Sequence, residues 1–286
     1  MSPAIPLSPG AGLDPGTRIG AVHLTVGDLD RAVAFYGGPL GLHLHGAEEG
    51  VARLGAGGED LLVLREDGAA PGSRGRTGLF HTAFLVPSRL ELGRSLERLA
   101  RAEVPLTGFS DHLVSEAIYL DDPEGNGIEI YRDRPRGQWP LQGGHIRMST
   151  DPMDVEGVLS GALAAPPTPA RVAAGTVVGH VHLRVADAAG AEAFYRDVLG
   201  LDVMARYPGA SFLAAGGYHH QLGVNHWGSA GATAPPAGAR GLDHFELMVG
   251  GLEAVEGRAG ELGRRRDGGL EVADPSGNRV LLRPLG

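Results

Sequence analysis

The chain has 286 residues, a formal net charge of −9, 47 glycines, 20 prolines and no cysteine. This length suits two modest domains or one large one, and the glycine and proline excess points to short strands joined by many turns. The acidic balance argues against nucleic acid and anionic membranes as partners. The lack of cysteine excludes disulfides, thiolate metal sites and a cysteine nucleophile.

The N-terminal stretch MSPAIPLSPGAGLDPGTR has neither the charged start nor the apolar run of a secretory leader. Residues 1–17 read as an extended segment. No stretch approaches the roughly 20 apolar residues that span a bilayer, so a cytoplasmic location is expected.

The first strand is AVHLTV (21–26), followed by the helix-like GDLDRAVAFYGGPLGL and then short strands in VARLGAGGEDLLVLREDG. A second unit opens with FHTAFLV (80–86), continues through the helical VPSRLELGRSLERLARAEV, and ends in DDPEGNGIEIYR. Residues 136–176 read as a linker, with WPLQGGH, a short helix near DPMDVEGVLSGAL and the turn-rich APPTPA. A third unit begins HVHLRV (180–185) and repeats the first closely, with ADAAGAEAFYRDVLGL as its helix. The fourth begins DHFELMV (243–249) and ends ADPSGNRVLLR, matching the end of the second. The period is strand–helix–strands, four times. It predicts an α+β fold of four βαβββ modules, paired by sequence order into residues 18–135 and 177–286.

Alternation along a strand sorts the side chains by face. Val22, Leu24 and Val26 suit packing beneath a helix, which turns His23 to the other face. His81 shares its face with Ala83 and Leu85. In GIEIY, Ile128 and Ile130 face the helix, and Glu129 faces away. A lone strand histidine can equally be a hydrogen-bonded core residue, and a lone glutamate a solvated edge. The segment SDHLVSEAIYLDDPEGNGIEIYRD (110–133) adds His112 and Tyr119 to Glu129 around a tight turn. In that turn Asp122 and Pro123 start the reversal, and Gly125 and Asn126 tolerate positive φ. The turn fixes the register on which the direction of Glu129 depends.

The repeated βαβββ unit resembles the vicinal oxygen chelate superfamily, which includes glyoxalase I, bleomycin-resistance proteins and type I extradiol ring-cleaving dioxygenases. The resemblance covers about residues 18–285. It implies two incomplete-barrel domains, each a sheet curled into a cup. The run from His112 through Ile118-Tyr119 and Asp122-Pro123-Glu124-Gly125 to Glu129 is similar to the extradiol dioxygenase signature. Ser110, two residues before the histidine, departs from it. With the metal placed in the N-terminal half, the pattern resembles a bacterial catechol-2,3-dioxygenase subgroup.

The resemblance implies His23, His81 and Glu129 as metal ligands, a 2-His-1-carboxylate set suited to non-heme Fe(II), with Mn(II) chemically close. It implies that Tyr119 hydrogen-bonds a substrate oxygen and that His112 stands beside the metal-bound oxygen species. The expected reaction is cleavage of catechol or a substituted catechol by O2 to a 2-hydroxymuconic-semialdehyde-type product. A homo-oligomer is expected. One departure stands out: many relatives carry an acid–base histidine in the later strands of the first unit of the active pair, and residues 51–68 have none. His43 and His45 lie just before that stretch, as substitutes or as exposed strand-start residues.

In the second half, His182, His244 and Leu281 occupy the corresponding positions, so that cup is expected to be vestigial, filled by an Arg184–Glu246 pair. His219, His220 and His226 stand together in YHHQLGVNHW, as a hydrogen-bonded strand or a second metal site. Two other functions fit the same modules. A glyoxalase-like lyase or isomerase needs a fourth protein ligand, which would fall near Leu62. A binding or resistance protein uses the cup as an apolar pocket and needs no metal.

Overall fold

A computed structural model describes residues 12–143 and 145–286. Eleven residues of the expected extended N-terminal segment, 1–11, lie outside the described residues. Module one comprises β1 (Arg18–Val26), α1 (Leu29–Gly37), β2 (His43–Glu48), β3 (Val51–Gly55) and β4 (Asp60–Glu66). Module two comprises β5 (Gly78–Leu85), α2 (Arg89–Arg101), β6 (Leu106–Asp111), β7 (Ser115–Asp121) and β8 (Gly127–Asp133). The linker carries a small hairpin, β9 (Leu141–Gln142) and β10 (His145–Ile146), and α3 (Val155–Leu163). Module three comprises β11 (Val177–Arg184), α4 (Ala188–Phe194), β12 (Asp202–Tyr207), β13 (Ala210–Ala214) and β14 (Leu222–Asn225). Module four comprises β15 (Gly241–Val249), α5 (Leu252–Ala259), β16 (Arg264–Arg266), β17 (Gly269–Ala273) and β18 (Arg279–Pro284).

Local chemistry accounts for the modules. Asp28, Ser88 and Asp187 cap α1, α2 and α4 by accepting from backbone N–H groups of the first turn. Helix α2 adds Glu91 in its first turn and Arg98 and Arg101 in its last, which suits the helix dipole. The apolar strand faces are buried as alternation predicts: Val22, Leu24, Val26, Ile128 and Ile130 all belong to the core.

The modules do not pair in sequence order. One eight-stranded sheet runs β16-β17-β18-β15-β1-β4-β3-β2, and the other runs β12-β13-β14-β11-β5-β8-β7-β6. Module one therefore shares a sheet with module four, and module two with module three. The expected pairing within 18–135 and within 177–286 is corrected by this arrangement. The physical reason lies in the first strand of each module. It pairs in parallel with its own last strand, β1 with β4 and β5 with β8, and this leaves its other edge open. An open edge must be covered. Strand β15 covers β1 and β11 covers β5, both antiparallel. Four similar first strands carry nothing in their local pattern that selects one partner over another.

Sequence neighbours are nevertheless tied by a different device. In the DPEGN turn, Asp122 Oδ1 accepts from the backbone N–H groups of Glu124 and Asn126, both at 2.8 Å. Its Oδ2 accepts from the Tyr36 hydroxyl of α1 at 2.9 Å. The DPSGN turn repeats this, with Asp274 accepting from Ser276, Asn278 and the Tyr195 hydroxyl. The AFY and DPxGN motifs are thus partners, joining module one to two and three to four across the sheets. Gly125 takes positive φ (85°), whereas Asn126 instead donates its side-chain amide to Asp122.

Candidate metal centre

The β11–β5–β8 part of the second sheet brings three buried side chains to one point. His81 Nε2 lies 3.0 Å from Glu129 Oε2, His180 Nε2 lies 3.1 Å from the same oxygen, and the two imidazole nitrogens are 3.3 Å apart. This is the only group of three or more such donors close enough to share an ion among the described residues. Donors about 2.1 Å from an ion and about 90° apart, as on one face of an octahedron, stand about 3.0 Å from each other. The three separations sit at or slightly above that value, so the residues fit a divalent metal held facially. Nothing in them identifies which metal.

Glu129 and His180 carry the protonation states that a metal needs. Burial raises the Glu129 pKa, but His180 and His81 outweigh it and hold the carboxyl well below the usual range. Burial lowers His180 to about 4, only partly opposed by Glu129. The centre therefore offers neutral imidazole and carboxylate.

His81 and Glu129 stand where the sequence places them, and His23 does not. His23 lies in the other sheet, stacked on His244 with ring centroids 4.0 Å apart and its Nε2 3.6 Å from Glu246. The second histidine is His180, supplied by module three. Register explains the difference. Counted back from the valine closing each first strand, His81, His180 and His244 are five residues before Val86, Val185 and Val249, and the matching residue before Val26 is Ala21. His23 corresponds to His182 and Ala83, two residues further along. The signal was in the sequence, in HVHLRV against AVHLTV, but matching the second histidine of HVH to His81 hides it.

The same register locates the fourth position. Ala83 pairs with Glu129, and His182, its counterpart, pairs with Gly223. Gly223 has no side chain to offer, and a Cβ there would lie 2.9 Å from the His182 ring. The lyase-type fourth ligand, expected near Leu62, is thus absent from the place where this cup would carry it.

The expected catalytic pair borders the same cavity. His112 Nε2 is 2.7 Å from the Tyr119 hydroxyl, and its Nδ1 is 2.6 Å from the Ser149 carbonyl oxygen. A carbonyl only accepts, so Nδ1 carries the proton and Nε2 accepts from Tyr119. Burial, then the nearby Glu129 charge, raises the Tyr119 pKa well above normal, which keeps it a donor. Ser149 belongs to the linker, so that segment is a wall of the site: Met148 and Thr150 also line the cavity, and Asp151 bridges backbone to Asp111. The cavity is about 460 Å³, with Phe80, Phe109, Tyr207, Phe212 and Trp227 among its walls.

A further histidine reaches the cavity from module three. His220, in the turn between β13 and β14, lines the cavity with its ring 4.1 Å from that of His180. In this cup module three is the unit that lacks the carboxylate, so the stretch corresponding to the expected acid–base position lies in its later strands and not in residues 51–68. His43 and His45 lie on the edge strand β2 of the other sheet, where His45 binds Asp60 at 2.8 Å. Arg184 and Glu246 do not pair. Arg184 donates to the Leu79 carbonyl at 2.6 Å over the Phe80 ring, whereas Glu246 accepts from Arg283 at 2.7 Å in the other sheet.

Paired βαβββ modules with a buried two-histidine, one-carboxylate cup define a class. Residues 18–130 and 177–282 match the model of the Glyoxalase/Bleomycin resistance protein/Dioxygenase superfamily, and the chain belongs to it. The catechol-2,3-dioxygenase of Bacillus subtilis (strain 168) is 40% identical over 246 residues, covering 84% of this chain and 85% of that protein. Among solved structures, glyoxalase I from Zea mays superposes with a TM-score of 0.58 at 19% identity over 93% of this chain and 92% of its own. The cppA protein from Streptococcus pneumoniae TIGR4 does so with 0.55 at 13% identity over 94% and 99%. These two likenesses speak to the fold alone. No helix among the described residues is long and apolar enough to cross a membrane.

Proposed function

We propose that the protein is a non-heme Fe(II)-dependent extradiol dioxygenase that opens the ring of catechol or a substituted catechol with O2. The observation that carries this reading is the three-donor centre with glycine at the fourth position, beside the His112–Tyr119 pair. His81, His180 and Glu129 would hold the metal, replacing the set with His23. Bound Fe(II) supplies open coordination positions and electron transfer between catechol and dioxygen.

The chain's own residues do the rest. The aromatic walls accept a flat ring and exclude water. His220 offers an imidazole nitrogen to take a proton from a catechol hydroxyl. Tyr119, whose one proton His112 accepts in this structure, turns that hydroxyl to a substrate oxygen and stabilises negative charge as it develops there. The 40% identity to a protein named catechol-2,3-dioxygenase supports the same reaction class, and Gly223 disfavours a four-ligand lyase.

Anaerobic loading with Fe(II), followed by catechol in an oxygen electrode with an absorbance trace, tests the proposal. Oxygen uptake with a yellow product, lost in Glu129→Ala, is expected. Metal binding without uptake across several catechols would overturn it in favour of lyase chemistry. Failure to bind metal would point to a binding protein.

A further inference from the structure

Behind His220 lies a partly buried chain of polar groups with a defined sense. His219 Nδ1 is 2.8 Å from His220 Nδ1, and His219 Nε2 is 2.9 Å from Asp133 Oδ1. Asp133 Oδ2 accepts from the Tyr218 hydroxyl at 2.9 Å, and the Tyr218 and Tyr131 hydroxyls are 2.8 Å apart. His219 is fully packed, between Tyr218 and Trp139, with ring centroids 4.1 and 5.2 Å away.

A carboxylate accepts only. His219 therefore donates from Nε2 to Asp133, and a neutral His219 keeps its lone pair on Nδ1. The short contact between the two Nδ1 atoms needs one proton, so His220 supplies it. No protein hydrogen bond engages His220 Nε2 among the described residues, and this nitrogen is left for the cup. Asp133 ends β8, the strand that carries Glu129 four residues earlier on the same face. One strand thus sets both a metal donor and the anchor of the chain behind His220.

We propose that Asp133 and His219 are positioning residues that hold His220 in the tautomer protonated on Nδ1, presenting the Nε2 lone pair to the substrate. The role assigned to that lone pair rests on the dioxygenase reading; the tautomer itself does not. An orienting partner of this kind fixes both ring rotation and proton position, as partners of metal-bound imidazoles do.

The test is a two-bond 1H–15N correlation spectrum of the metal-free protein with 15N-labelled histidine, with His220 assigned by its loss in His220→Gln. Wild type shows the Nδ1–H pattern. In Asp133→Asn, the side-chain amide donates to His219 Nε2 and reverses the chain, so His220 changes to Nε2–H. Tyr218→Phe, which removes the other bond to Asp133, leaves the Nδ1–H pattern in place. In the iron-loaded enzyme, Asp133→Asn lowers kcat by about 10–100-fold, with iron content and catechol KM within about twofold of wild type. An Nε2–H pattern in wild type, or a pattern and a kcat that Asp133→Asn leaves unchanged, would overturn the proposal. If wild type shows Nδ1–H but cleaves no catechol, the functional reading falls and the tautomer assignment stands.

Discussion

The two sheets of this protein are built from the same parts, and among the described residues only one brings three donors together as a candidate metal centre. In the β5–β11 cup the four equivalent inward positions hold His81, Glu129, His180 and Gly223. In the β1–β15 cup the register gives His244, Leu281, Ala21 and Val63 at those places. Three of the four positions there are apolar, so a hard cation has nothing to bind. Of the polar groups that remain, His23 and Glu246 are displaced by one inward position, and His23 Nε2 has no hydrogen-bond partner among the described residues. His23 stacks on His244, Glu246 lies between His23 and Arg283, and Asp243 binds His244 and Arg279. Two face-stacked imidazoles cannot both direct in-plane lone pairs at one ion. The lesson is that the fold supplies a cup, and four positions in it decide whether the cup holds a metal.

The largest effect expected on this comparison comes from exchanging a donor for a methyl group in each cup. Glu129→Ala abolishes iron retention and ring cleavage, exceeding the about 10–100-fold loss typical of a supporting residue. Glu246→Ala leaves turnover within about twofold. Metal content by mass spectrometry and oxygen uptake on the two variants would decide it, and equal losses would erase the distinction between the cups.

The histidines sharpen the same point. His180→Ala loses the metal and His23→Ala keeps it, since His23 belongs to the other sheet. The opposite result would restore the pairing by sequence order. His220→Gln, which keeps the metal donors intact, lowers kcat by about 10²–10⁴-fold, the usual range for an acid–base group, with iron content unchanged.

Smaller effects concern stability. In the β1–β15 cup, burial raises the Glu246 pKa, but His23 and Arg283 outweigh it and bring it down to about 2. A folded-state pKa below the unfolded one stabilises the protein above about pH 4.5, and that contribution is lost as pH falls towards 2. Denaturant titrations across this window should show Glu246→Gln flattening the acid limb by about 1–2 kcal/mol, a figure reduced for partial solvent exposure. Tyr36→Phe and Tyr195→Phe each remove one buried hydroxyl from a turn aspartate. Each should cost about 0.5–1.5 kcal/mol in the urea midpoint with activity retained, and the two losses should match if the turns are equivalent.

Much of this was legible in the chain itself. The four modules, the helix in the linker and the inward faces of β5 and β8 follow from periodicity and turn chemistry, and the structure repeats them. Alternation places His81 and Glu129 on the inward face of their strands, and the family resemblance marks them as ligands. His180 was within reach, as the first histidine of HVHLRV, once the strands are aligned on their closing valines. His220 was visible only as part of a histidine-rich stretch.

What sequence determined, then, is each module and the face on which each of its side chains lies. These depend on contacts a few residues apart and on periods of two and 3.6. Which module meets which was decided only in three dimensions. Hydrogen bonding between backbone edges is blind to side-chain identity, so four similar edges leave the pairing to the packing of the whole chain. That choice put His180 beside His81 and Glu129, sent His23 to the other cup, and folded the linker's Ser149 carbonyl over His112.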